Sequence, residues 1–160
     1  MVLIAGLIGT VAPTASADDG PRADVAGGYS LIYDHDIKTT FDAGWFLSAA
    51  ANANKAVALA AEVSGHYKSQ SVHTFLAGPR FVSGTGAARF FGQFLAGAAV
   101  ASAGTTATDF CYMPAIGLDI GFNPNTAMRI GAGERFVRVS GGNTSAQFQF
   151  LVGLVHRFEK

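Results

Sequence analysis

One hundred and sixty residues suffice for one domain, since about 150 residues is a common domain share. Apolar residues make up 49% and glycine supplies 20 positions, while charged residues reach only 14%, against roughly 25% in soluble domains; this excludes a disordered chain and leaves few charges to coat a water-facing surface. Eleven basic and 11 acidic side chains cancel, giving a nucleic-acid partner no electrostatic footprint, and the single Cys111 excludes a disulfide framework or multi-cysteine metal site.

At the N-terminus, Val2 to Ala12 is apolar and uncharged, Pro13 interrupts it, and Ala15-Ser16-Ala17 offers small residues for cleavage. The polar stretch DDGPRAD follows. This is the form of a secretory signal over 1–17, leaving 18–160 as the exported domain. A basic residue ahead of the apolar run, usual in such signals, is missing. Further on, Phe90 to Thr108 is uncharged and long enough for a membrane helix. Gln93, three glycines and a Ser/Thr/Ala/Gly-rich second half argue against one.

From Asp24 to Phe158 the period is two. Segments of about ten residues alternate with the turn-forming stretches DHDIKTT, NANK, KSQS, SGTGA, SAGTTATD, NPNT and SGGNTS. Seven separators leave eight strands. The meander-like spacing predicts an all-β, eight-stranded antiparallel up-and-down barrel, which closes the sheet and abolishes its edges.

Sorting each strand into two faces separates the chemistry. One face carries Tyr29, Leu31, Tyr33, Phe41, Trp45, Leu47, Leu59, Tyr67, Phe75, Phe81, Phe90, Phe94, Phe110, Tyr112, Ile116, Phe122, Phe136, Phe148, Phe150, Leu154 and Phe158. Only Phe46 and Phe91, among the aromatics, fall on the other side. That side carries Ser30, Asp34, Asp42, Ser48, Glu62, Ser64, His66, Arg80, Arg89, Gln93, Asp119, Arg129, Arg135, Gln147, Gln149 and Arg157, with Gly and Ala between them. Glu134 is the single charge on the aromatic face.

So many aromatics would overfill the narrow interior of eight strands, whereas Gly, Ala, Ser and a few charges fit. The polar face is also too poor in charge to meet water. A transmembrane barrel is therefore expected, with aromatics toward lipid. Odd strands running outward place Tyr33, Phe41, Tyr67, Phe110, Tyr112, Phe136 and Phe148 in an upper girdle. Phe81, Phe90, Phe122 and Phe158 form the lower one.

Charges inside a narrow lumen must be paired. The hairpin around NPNT brings Asp119 and Arg129 near one another, and Glu62 and Arg80 lie on adjacent strands, diagonally offset. These four residues are expected to form a structural polar network.

The segments HYKSQSVHTFLAGPRF, IGLDIGF and FLVGLVHRF resemble bacterial outer-membrane β-barrel domain proteins of the small, OmpA-like porin-type group. The likeness spans about 24–158. The closing strand resembles an outer-membrane sorting signal ending on Phe158, which implies recognition by the assembly machinery. His156, where an aromatic or aliphatic is usual, and Glu159-Lys160 beyond the Phe depart from that signal and bear on assembly efficiency.

The resemblance implies a Gram-negative-type outer-membrane protein with a structural role, embedded in outer-membrane lipid, monomeric, and with a lumen closed by side chains. No catalytic, cofactor or metal site is expected, and no nucleic-acid partner. Two alternatives compete: a soluble lipocalin-like barrel binding a small apolar ligand, supported only by Gly44-Trp45, and a lipid-modifying barrel enzyme. The latter would rely on His66, with Ser64 and Ser69 nearby and His73 across a short loop. The outward loops, about 34–40, 68–71, 101–109 and 138–146, are small and polar, without an apolar anchor for a protein partner.

Overall fold

The computed structural model describes residues 22–84, 87–139 and 141–158. The expected signal segment 1–17 lies outside the described residues. Nine strands follow in order: β1 (Ala23–Asp34), β2 (Thr39–Phe41), β3 (Ala43–Asn52), β4 (Val57–Tyr67), β5 (Ser71–Ser83), β6 (Ala88–Ser102), β7 (Thr106–Asn123), β8 (Thr126–Arg138) and β9 (Thr144–Phe158). Each pairs antiparallel with its neighbour, and β1 pairs with β9 from Ala23↔Phe158 to Asp34↔Gln147. The sheet is thus closed. No helix occurs among the described residues, and β2 and β3 together make one stave, so eight staves form the wall.

A bulge splits that stave. Tyr29 pairs with Trp45 and Ile32 with Phe41, so Ser30 and Leu31 of β1 face Asp42, Ala43 and Gly44. One extra residue reverses the alternation beyond it. The Tyr29 hydroxyl donates to the Asp42 carbonyl, and Lys68 Nζ donates to the Thr40 carbonyl at 2.9 Å. This corrects the sequence reading: Phe41 turns into the lumen, 2% exposed, and leaves the upper girdle, while Asp42 is exposed on the outer wall. The exterior therefore carries Asp42 as well as Glu134, which sits 3.3 Å from His35.

Elsewhere the faces sort as the alternation predicts. Leu59, Ile116, Phe122 and Leu154 are 60–70% exposed, an arrangement that water would penalise and hydrocarbon would not. At the end bearing Ala23 and Phe158, the aromatics Phe81, Phe90, Phe122 and Phe158 stand exposed on the wall. Higher on the wall Phe94, Tyr112 and Phe136 stack, with centroids 6.0 and 5.1 Å apart, and Phe110 lies 6.4 Å from Tyr112 toward the other end. The connections there are shorter than expected. Strands run to Ser102 and resume at Thr106, so 103–105 closes the longest hairpin, and 35–38, 68–70 and 139–143 link the others.

Inside, apolar side chains form two clusters, one around Leu76, Leu95, Ala99, Cys111 and Met113, the other around Ala26, Phe46, Leu151 and Val155. Polar groups interleave with these clusters along the lumen: Leu76 is the Cα partner of Glu62, and Ala58 of Arg80. Among the described residues four carboxylates (Asp24, Asp34, Glu62, Asp119) and four guanidiniums (Arg80, Arg129, Arg135, Arg157) are buried.

Candidate functional site: the polar lumen

The terminus end of the lumen is built around side chains of four strands, β1, β5 and the hairpin β7–β8. Asp119 and Arg129 are Cα partners across β7 and β8. The turn at 124–125, where Asn123 Oδ1 accepts from the Asn125 and Thr126 amides at 3.0 and 2.8 Å, and a one-residue bulge between Gly121 and Asn123 together set that register. The two side chains meet bidentately: Arg129 Nε to Asp119 Oδ1 at 2.8 Å and Nη2 to Oδ2 at 2.9 Å. Such a fork spends the guanidinium's planar geometry on both carboxylate oxygens.

Arg129 also donates Nη1 to Ser48 Oγ and Nη2 to Asp24 Oδ1, both at 3.2 Å. The same Asp24 oxygen accepts from Arg80 Nη1 at 3.2 Å, while Arg80 Nε donates to Gln93 Oε1 at 2.9 Å. Asp24 on β1 thereby joins β5 to β8 across the barrel. Arg157 lies beside Asp119, with Nη2 3.9 Å from Oδ2.

Phe91 is one of the inward aromatics, and the two arginines explain it. The guanidinium carbons of Arg80 and Arg129 lie 4.9 and 4.7 Å from its ring centroid, within cation–π range. Gly117 makes room: a Cβ there would strike the Phe91 ring. One aromatic ring thus offers its π-system to both buried cations.

The second polar group lies toward the other end. Glu62 accepts from Gln149 Nε2 at 3.1 Å, and Gln149 Oε1 accepts from Arg135 Nη2 at 3.0 Å. Arg135 Nη1 donates to Thr74 Oγ1, which also takes the Ser64 hydroxyl at 3.3 Å. A neutral amide therefore relays between a carboxylate and a guanidinium with no direct ion pair. Above it, Gln147 Nε2 donates to Asp34 Oδ2 at 2.8 Å.

Of the four residues singled out from sequence, Asp119 and Arg129 come together, and Arg80 joins them through Asp24. Glu62 and Arg80 do not pair. Glu62 is the Cα partner of Leu76 and Arg80 of Ala58. Four residues along a strand separate them, roughly 13 Å at strand rise, beyond the two-residue offset of a diagonal pair. Each instead reaches across the lumen. Asp24 itself escaped the reading because it closes the polar stretch DDGPRAD. The alternation of Ser30, Gly28 and Ala26, carried back two residues further, points it inward.

The histidines separate as well. His66 Nε2 lies 3.0 Å from Ser30 Oγ, not from Ser64 or Ser69, and both partners are fully buried. Its Cα partner Gly44 permits this, since a Cβ there would meet the imidazole. Nδ1 has no hydrogen-bond partner, so no acid orients the ring as a nucleophile's base requires. His73 takes the opposite face of its hairpin and packs edge-on against Tyr67 at 5.5 Å. His66 and His73 therefore do not form a pair, because Gly65 and not His66 is the Cα partner of His73.

A closed eight-stave barrel with aromatics and aliphatics outside and charges inside is a transmembrane β-barrel. Solved structures of that class share its fold. Ail, the attachment invasion locus protein of Yersinia pestis, superposes with a TM-score of 0.61 at 16% identity, covering 86% of this chain and 99% of its own. Neisserial surface protein A gives 0.63 at 10% identity, covering 85% and 96%. The N-terminal barrel domain of Pseudomonas aeruginosa OprF gives 0.58 at 13%, covering 88% and 100%. No protein-family model and no curated protein sequence matches the chain.

Proposed function

We propose that this chain is an outer-membrane protein of a Gram-negative-type bacterium with a structural role in the envelope and a lumen closed by its own side chains. The observation that carries the reading is the cross-lumen lattice of Asp24, Arg80, Asp119 and Arg129. It ties β1, β5, β7 and β8 together with partners for each charge. A pore would keep such charges hydrated and apart, whereas here they are bonded to one another across the lumen and almost fully buried. The fold shared with outer-membrane barrels supports the location.

In this reading the chain is a monomer that surrounds itself with outer-membrane lipid. It enters through the assembly machinery by its closing strand to Phe158, after export by the segment 1–17, and it catalyses no reaction. The buried Ser30–His66 contact favours this over a lipid-modifying enzyme, because no substrate acyl group reaches Ser30. The test is heat-modifiable gel mobility in fractionated outer membranes, combined with current across planar bilayers. A mobility shift in the outer-membrane fraction without steady conductance is expected. Porin-sized current from the folded protein would overturn the closed lumen. An altered lipid A mass spectrum on deleting the gene would overturn the absence of catalysis.

A further inference from the structure

The outer wall is not uniformly convex. Phe81, Gly92, Ile116, Ala132 and Phe150 are successive Cα partners across β5 to β9, all on the outward face. Large and small residues alternate along this row, so Gly92 and Ala132 lie at the floor of a groove with a volume of about 620 Å³. Phe90 bounds it toward the terminus end, where Ser83 stands at its mouth. That volume falls within the roughly 300–1,000 Å³ of clefts that hold small molecules. A Cβ built on Gly92 meets nothing within 4 Å, so the floor is open space and not a packed contact.

We infer that this groove is a discrete binding site for one acyl chain of a glycerophospholipid in the leaflet at the barrel's terminus end. Three features select that occupant. Its walls are hydrocarbon, so a polar ligand gains nothing there. Ile116, Phe90 and Phe81 are 70%, 59% and 57% exposed on a wall whose solvent is lipid. The open mouth lies at the Phe81/Phe90 girdle, the level at which interfacial aromatics meet headgroups, so a chain can enter while its headgroup stays at Ser83. A chain held in a groove touches protein on several sides and gains dispersion contacts that a flat wall withholds. The inference rests on the barrel being embedded in a phospholipid leaflet, which is part of the proposed function.

The variant Gly92→Phe fills the groove without entering the barrel wall. Ala61→Phe adds the same bulk on the exposed outer face of β4, away from it. Wild type and both variants would be extracted in mild detergent from vesicles of palmitoyl-oleoyl phosphatidylethanolamine and weighed intact by native mass spectrometry. Gel mobility before and after boiling reports whether each has folded and inserted. Wild type and Ala61→Phe are expected to retain one phospholipid, and folded Gly92→Phe to lose it by about tenfold or more. Equal retention in all three, or retention in none, overturns the site. A dimer in wild type that Gly92→Phe abolishes also overturns it, by making the groove a contact between copies. Wild type that never inserts would refute the membrane reading itself, and the gel distinguishes that outcome.

Discussion

Asp24 Oδ1 lies 3.2 Å from Arg129 Nη2, joining residues 105 positions apart across the barrel axis. The same oxygen holds Arg80, so one carboxylate neutralises two guanidiniums on separate staves. Burying charges in a narrow lumen is costly unless they are paired, and loss of one partner leaves the other stranded. Asp24→Ala is expected to destabilise the folded barrel by about 3–5 kcal/mol, read by urea titration in vesicles. Asp119→Ala should cost a similar amount. Because each single variant leaves Arg129 one carboxylate and only the double variant strands it, the double variant should exceed the sum. Stability unchanged in Asp24→Ala would show that the lattice contributes nothing.

Gln149 bridges Glu62 and Arg135 with its two amide ends. Leucine at this position keeps the approximate volume but removes both bonds to charged groups. Each such bond contributes about 1.5–3 kcal/mol, so Gln149→Leu should cost about 3 kcal/mol or more in the same titration. Gln149→Glu should also destabilise, by placing a second carboxylate against Glu62. A neutral result for Gln149→Leu would mean that water replaces the amide.

Gly117 and Phe91 form a size-complementary pair. Gly117→Ala pushes a methyl group into the Phe91 ring, and overpacking of this kind costs about 1–3 kcal/mol. Adding Phe91→Leu should recover part of that loss, a positive coupling in a double-mutant cycle. Additive losses would contradict the close approach.

The bulge at Asp42 yields a discriminating test. An inward Asp42 would need a buried partner, and its removal would be expensive. On the outer wall near the girdle, Asp42→Ala should alter stability by no more than about 1 kcal/mol. Phe41→Ala, which empties an inward position, should cost about 3–5 kcal/mol. Reversed magnitudes would restore the unbulged register.

A large share of this was legible in the chain itself. Alternation is a backbone property with period two, so Leu59, Phe75, Phe90 and Leu154 had to share a face and Glu62, Arg80 and Arg129 the other once each strand was recognised. The excess of aromatics over what an eight-stranded interior holds then turned that face outward. The Asp119–Arg129 hairpin was readable to within about one residue from its short turn, and the bulge between Gly121 and Asn123 then decides the pairing.

Tertiary structure decided everything that crosses the lumen or depends on a single inserted residue. The pairing of Asp24 with Arg80 and Arg129, the relay through Gln149, and the contact of His66 with Ser30 join staves whose angular positions exist only after closure. The bulge opposite Ser30 and Leu31 moved Phe41 and Asp42 because one extra residue reverses every side chain beyond it. Periodicity determines which face a residue takes, since that follows from local backbone geometry. Its partner follows from the barrel's closure, which sets distances that no local pattern carries.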